Sequence, residues 1–202
     1  MVETTPPEHD FSLEQILERG RHPHSWLYNY NKLRRGADVL LEISEKGSKQ
    51  LWDSLTAESP PTPDSIPPLT SEESAALLDS DVGEVSFYLL ALAVECMCKA
   101  ALIRGGGEAV DNKGNLLRKF KTHNLRQLAK AAGLEANKDD LEVLALLQRF
   151  LDWRGRYPIP TNWKDFDPFV GVNLLGTADV HSKAHDLCDR IWGEFEKNAP
   201  KG

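Results

Sequence analysis

"FYLLALAVECMCKAALI", residues 87–103, is the stretch whose reading decides the fold. Fifteen of its seventeen residues are apolar, and the two exceptions, Glu95 and Lys99, stand four apart. A segment apolar around its whole circumference is either enclosed by other elements or set in a membrane. This one is short for a membrane span and carries two charges, so it reads as a buried core helix. An acid followed four residues later by a base is the favourable order for a helical ion pair. Between packed helices such a pair loses several kcal/mol per charge in desolvation unless other groups satisfy it. The pair therefore reads in one of two ways: a device that fixes helix register, or one wall of a polar cleft.

Outward from this helix the chain reads as helices throughout. Gly105, Gly106 and Gly107 end the core helix, predicted over Val82–Arg104. Upstream, Ser12 with Gln15 forms a capping-box pattern, which predicts a short helix from Leu13 to Arg19 that stops at Gly20. A long helix is predicted from Ser25 to Glu45, with Trp26, Tyr30, Leu33, Ala37 and Leu40 on one stripe and Gly47 as its break. Residues 58–81 read as a loop, because Pro60, Pro61, Pro63, Pro67 and Pro68 remove amide donors and force extended geometry. Downstream, Asn124 caps a short helix to Ala132, and a further helix is predicted over Lys138–Trp153, with Leu141, Leu144, Leu147 and Leu151 inward. "RGRYPIPTNWKDFDPF" is a second proline-bearing loop, and a last helix spans Ala178–Glu196. No strand pattern and no internal repeat stands out. The expectation is an all-α, up-and-down bundle of four to five main helices in one domain over 11–197. Residues 1–10 and 198–202 are read as flexible ends.

Composition narrows the function classes. At 41 % hydrophobic and 27 % charged, the 202 residues match a soluble globular protein. No early stretch combines a basic start, an apolar run and a cleavage site, so a cytoplasmic protein is expected. Cys96, Cys98 and Cys188 lack metal-site or disulfide spacing and read as small core residues in a reducing compartment. The net charge of −7 argues against a general nucleic-acid coat. Yet Lys113, Arg118, Lys119, Lys121, Arg126 and Lys130 follow one another without an intervening acid, a local basic surface on an acidic body. Only Phe120 interleaves them, so base stacking has little support. His181 and His185 stand four apart on the last helix beside Asp186, a spacing that can share a metal, but the sequence offers no evident third ligand. Neither a metal nor a cofactor is therefore expected.

The core helix, the glycine turn, "FKTHNLRQLAKAAGL" and "WRGRYP" together resemble HEPN-domain proteins (higher eukaryotes and prokaryotes nucleotide-binding). The residues that carry the resemblance are Glu95, Cys96 and Lys99, then His123, Leu125 and Leu128, then Arg156 and Tyr157, within 85–160. The resemblance implies a helical bundle, often dimeric. It implies RNA, a nucleotide or a protein partner such as an antitoxin as ligand, and no membrane. Active members are metal-independent ribonucleases of toxin–antitoxin, CRISPR and phage-defence systems, which carry an arginine four to six residues before a histidine. Here "WRGRYPIPTNW" lacks that histidine, and the formal match is "RKFKTH", Arg118 to His123, in another segment and with Lys119 in place of the usual polar neighbour.

Three readings follow. In the first the chain is a binding module whose cleft is built by Glu95, Lys99, His123, Arg156 and Tyr157; Lys99 and Arg156 hold a phosphate and Glu95 orients them. In the second it is a ribonuclease, with Arg118 on the scissile phosphate and His123 as acid or base. In the third it is a structural or regulatory protein whose charge pair specifies packing.

Overall fold

The computed structural model describes residues 12–56, 69–154 and 177–197, and the fold is an all-α bundle. The helices in chain order are α1 (Leu13–Arg21), α2 (Pro23–Thr56), α3 (Ser71–Arg104), α4 (Leu125–Ala131), α5 (Lys138–Arg149) and α6 (Thr177–Lys197). A 3-10 turn at Arg118–Phe120 precedes α4, and a π-turn at Phe150–Arg154 extends α5. Among the described residues the β structure is one isolated antiparallel bridge, Val110 to Leu116.

Helix α3 is the axis of the bundle and touches α2, α4, α5 and α6. Leu90, Ala91, Ala93, Val94, Cys98 and Ala100 are fully enclosed on it. Each large aliphatic side chain so buried contributes ~1.5–3 kcal/mol. By length and composition α3 is apolar enough to cross a membrane, but 67 % of that apolar window is buried inside the bundle. Most of the apolar circumference is thus covered by protein neighbours.

Two helices run beyond their predicted limits by more than two turns. Helix α2 runs unbroken through Gly47 to Thr56, and α3 begins at Ser71, not Val82, so residues 71–81 of the predicted loop are helical. Both differences have one cause. Helices α2 and α3 form a long antiparallel pair, and glycines mark where their backbones meet. A Cβ on Gly47 would lie 2.6 Å from the Asp79 Cβ and 2.7 Å from the Ala76 carbonyl oxygen. A Cβ on Gly83 would lie 2.6 Å from the Ser44 hydroxyl, which donates to the Ser80 carbonyl at 2.7 Å. Gly47 is therefore a close-approach residue inside the helix, not a terminator. The early start of α3 is fixed by a capping box, in which Thr70 accepts from the Glu73 amide and Glu73 accepts from the Thr70 amide.

The last two helices close the bundle. On α5, Val143, Leu144 and Leu147 face the core, whereas Leu141 is 39 % exposed and lies outside the buried stripe. On α6, Ala184, Leu187, Cys188 and Ile191 are buried. An ion pair between Arg190 of α6 and the buried Asp140 at the start of α5 ties the two together. The three cysteines are free and buried.

Candidate functional site

The acid and base of the core helix meet a third residue. Lys99 Nζ donates to Glu95 Oε1 at 2.6 Å, and His123 Nδ1 lies 2.8 Å from Glu95 Oε2. Glu95 and Lys99 are 5 % and 3 % exposed, while the His123 side chain is half exposed. A carboxylate accepts, so the proton of the neutral imidazole resides on Nδ1 and Nε2 keeps its lone pair on the exposed side. The Lys99 ammonium also lies 5.2 Å from the centre of the Trp26 ring. It is enclosed by Glu95 and Trp26, so Lys99 acts through Glu95 and offers no free ammonium to a phosphate.

Local structure explains how His123 comes to this place. Phe120 is fully buried and lies with its centroid 6.2 Å from that of Trp26, which anchors the 3-10 turn on the bundle. Beyond His123, Asn124 caps α4 by accepting from the Gln127 amide at 2.9 Å, and the Leu125 amide donates to Gln148 of α5 at 2.8 Å. His123 is the link between these two fixed points. The basic residues of the surrounding sequence, Lys113, Arg118, Lys119, Lys121, Arg126 and Lys130, are all exposed, and none forms an ion pair among the described residues. Arg126 donates to the Leu141 carbonyl at 3.0 Å. Arg118 forms no hydrogen bond to His123, so the R-x4-H string is not a preassembled pair. Arg156 and Tyr157 lie outside the described residues.

A second polar cluster lies between α2 and α6, and the sequence pattern supplies only its two histidines. Arg34 donates to the Tyr30 hydroxyl at 2.6 Å, to Asp189 Oδ1 at 3.3 Å and to His185 Nδ1 at 3.0 Å. Asp38 Oδ1 is 3.1 Å from His185 Nε2. His181, 3 % exposed, packs against the Phe87 ring and shares its Nε2 with the Ser86 hydroxyl at 3.1 Å. Burial and the neighbouring His185 push the His181 ring down to about 4, so it is neutral at physiological pH. Burial, with the Arg34 guanidinium next in weight, also lowers His185. Tyr30, Arg34, Asp38 and Ser86 are not legible as site residues, because their partners lie across the fold on α6.

Two surface clefts lie beside α6. One, about 410 Å³, is lined by Arg104, the Gly105–Gly107 turn, Gly133 and Glu194. The other, about 670 Å³, is lined by Leu134, Asp189, Arg190, Glu194 and Lys197. Neither includes Glu95, Lys99 or His123. Comparisons with protein-family models, with curated proteins and with solved structures find no match for this chain. Fold and site together define a helical bundle with a carboxylate-held histidine at the edge of a basic surface.

Proposed function

We propose that the chain is an RNA-binding module of the HEPN type, which engages the phosphate backbone through the 113–130 surface around His123. The observation that carries this reading is the Glu95–His123 contact at 2.8 Å, in a segment, 113–130, whose six basic residues are all exposed. A buried carboxylate held by a buried ammonium fixes one imidazole, and the sequence on both sides of it is basic and exposed. Phe120 is wholly enclosed and cannot stack on a base, so affinity rests on phosphate neutralisation and is indifferent to sequence. Lys99 serves as a positioning residue for Glu95.

The test is fluorescence anisotropy with labelled single-stranded RNA across a salt series. Lys119→Glu, Lys121→Glu and Lys130→Glu, singly, are expected to weaken binding and to lower the salt slope by ~0.7 for each phosphate left without its cation. Binding that ignores all three substitutions sinks the reading.

A second reading, metal-independent cleavage, is favoured by one specific feature: Nδ1 is engaged and Nε2 is left to accept a 2′-hydroxyl proton. Incubation of the same RNA without metal decides it. Cleavage by wild type that is abolished in both His123→Ala and Arg118→Ala makes the chain a nuclease with the Arg118–His123 pair at work. Intact RNA, with binding retained, leaves recognition alone.

A further inference from the structure

We propose that Asp38, His181 and His185 form a binding site for a divalent transition-metal ion of the zinc class, bridging α2 and α6. Each residue places one possible ligand atom within 4.8 Å of those of the other two. Their character suits zinc: two imidazoles and one carboxylate, with a further position left for water. The site is separate from the His123 surface, since Ser86 and Glu95 stand nine residues apart on α3, about 13 Å along its axis.

Two unpartnered nitrogens carry the argument. His181 Nδ1 and His185 Nε2 are both buried without a hydrogen-bond partner. The Asp38 contact at 3.1 Å lacks the direction a hydrogen bond requires, so it does not satisfy His185 Nε2. Buried polar atoms of this sort are rare in folded proteins and call for a ligand or a water. The tautomer of His181 is fixed by its surroundings. Ser86 donates its hydroxyl to the Gly83 carbonyl at 2.8 Å and so accepts from the His181 Nε2–H. The Nδ1 lone pair is thereby left facing the cluster, the arrangement in which an outer hydrogen bond orients a metal-binding histidine. The Asp38 side chain is 47 % exposed, which gives an ion a path in from solvent.

The spacing must tighten on binding. Ligand atoms about 2.1 Å from a shared ion stand ~3–3.5 Å from one another. The 3.1 Å between Asp38 Oδ1 and His185 Nε2 already meets this, and rotation of the exposed Asp38 side chain brings the carboxylate toward His181. Arg34 must also yield. It donates to His185 Nδ1 at 3.0 Å, whereas a metal on Nε2 places the ring proton on Nδ1. The guanidinium keeps Tyr30 and Asp189 when it leaves, and Asp189, one turn beyond His185, can accept the Nδ1–H.

The test uses untagged full-length chain stripped with a chelator. Zn²⁺ is titrated against a chromophoric competitor, and Co²⁺ is added separately for its visible spectrum. The expected result is saturable one-to-one binding, with intense d–d bands of a low-coordinate Co²⁺ site and a higher thermal midpoint. Asp38→Asn and His185→Gln are expected to weaken affinity at least tenfold, and Ser86→Ala roughly tenfold. Arg34→Met is expected to tighten it by removing the competing donor, and His22→Ala with His24→Ala to leave it unchanged. If His185→Gln fails to fold, Asp38→Asn, altered at an exposed position, still decides. Absence of one-to-one binding, or binding that survives Asp38→Asn, overturns the proposal and leaves an ordered water between the two rings.

Discussion

His123 Nδ1 meets Glu95 Oε2 at 2.8 Å across 28 positions of sequence, and the other oxygen of the same carboxylate takes the Lys99 ammonium at 2.6 Å. The charge pair in the core helix is therefore the inner end of a relay that fixes an exposed histidine. The energetics are asymmetric. The intact pair is close to neutral for stability, because desolvation offsets attraction, but either charge alone is costly.

Glu95→Gln is accordingly expected to destabilise the fold by ~3–5 kcal/mol, because it leaves the Lys99 ammonium enclosed with no counter-charge. Glu95→Gln with Lys99→Met removes both charges and is expected to recover most of that stability. Urea unfolding of the two single variants and the double variant closes the cycle. Additive effects would show that the two charges do not depend on each other.

The α2–α3 crossing yields a contrast between two glycines. Gly47→Ala gains helix propensity but drives its Cβ into the α3 backbone. Repacking costs ~1–3 kcal/mol, which outweighs the ~1 kcal/mol gained. Gly193→Ala, inside α6 with nothing within 4 Å of the new Cβ, is expected to stabilise by ~0.5–1 kcal/mol. Thermal midpoints that move the same way in both variants would refute the close-approach account.

Phe120 holds the basic turn to the bundle. Phe120→Ala is expected to cost ~3–5 kcal/mol, since the ring is fully enclosed beside Trp26. Hydrogen exchange should report the weakening first over residues 109–121, because Phe120 is the largest side chain in the small cluster that holds that segment, while α2 and α3 pack along their length. Uniform loss of protection across the bundle would instead make Phe120 part of the main core.

What is legible in the sequence follows the range of the interactions. The apolar circumference of 87–103 specifies a core helix, and the Glu95–Lys99 spacing specifies its ion pair, because both are properties of one helix. The start of α3 is misplaced by a local reading although Thr70 and Glu73 spell a capping box, because the prolines before them dominate the pattern. Gly47 reads as a break because propensity alone cannot distinguish a terminator from a point of close approach. Asp38 carries no signal of its own, since its partner His185 belongs to a helix far along the chain. Glu95, Lys99 and His123 are grouped at the sequence level only by motif order, and the contact of His123 with Glu95 depends on where the segment after the glycine turn packs, which no local pattern specifies. Arg156 and Tyr157, grouped with them, lie outside the described residues.

The buried thiols predict how the fold responds to base. Burial, the largest cause in each case, pushes the Cys96 and Cys188 thiols from 9.0 up to about 12, and it raises Cys98 as well. In the unfolded chain the thiols lose their protons as pH rises through 9, while in the folded chain they keep them. Between 9 and 12 the native state therefore binds more protons, and stability falls as pH rises, by up to ~1.4 kcal/mol per unit for each thiol. Below 9 both states are protonated and the thiols exert no slope. Urea midpoints at pH 8, 9 and 10 measure this directly. In the Cys96→Ala, Cys98→Ala, Cys188→Ala triple variant the slope above pH 9 is expected to shrink to a remainder from Tyr30, whose hydroxyl burial also raises. An unchanged slope in the triple variant would assign the alkaline destabilisation to other groups. Native protein at pH 8 should correspondingly resist thiol reagents until it unfolds, since reaction needs an exposed thiolate and the fold supplies neither exposure nor charge.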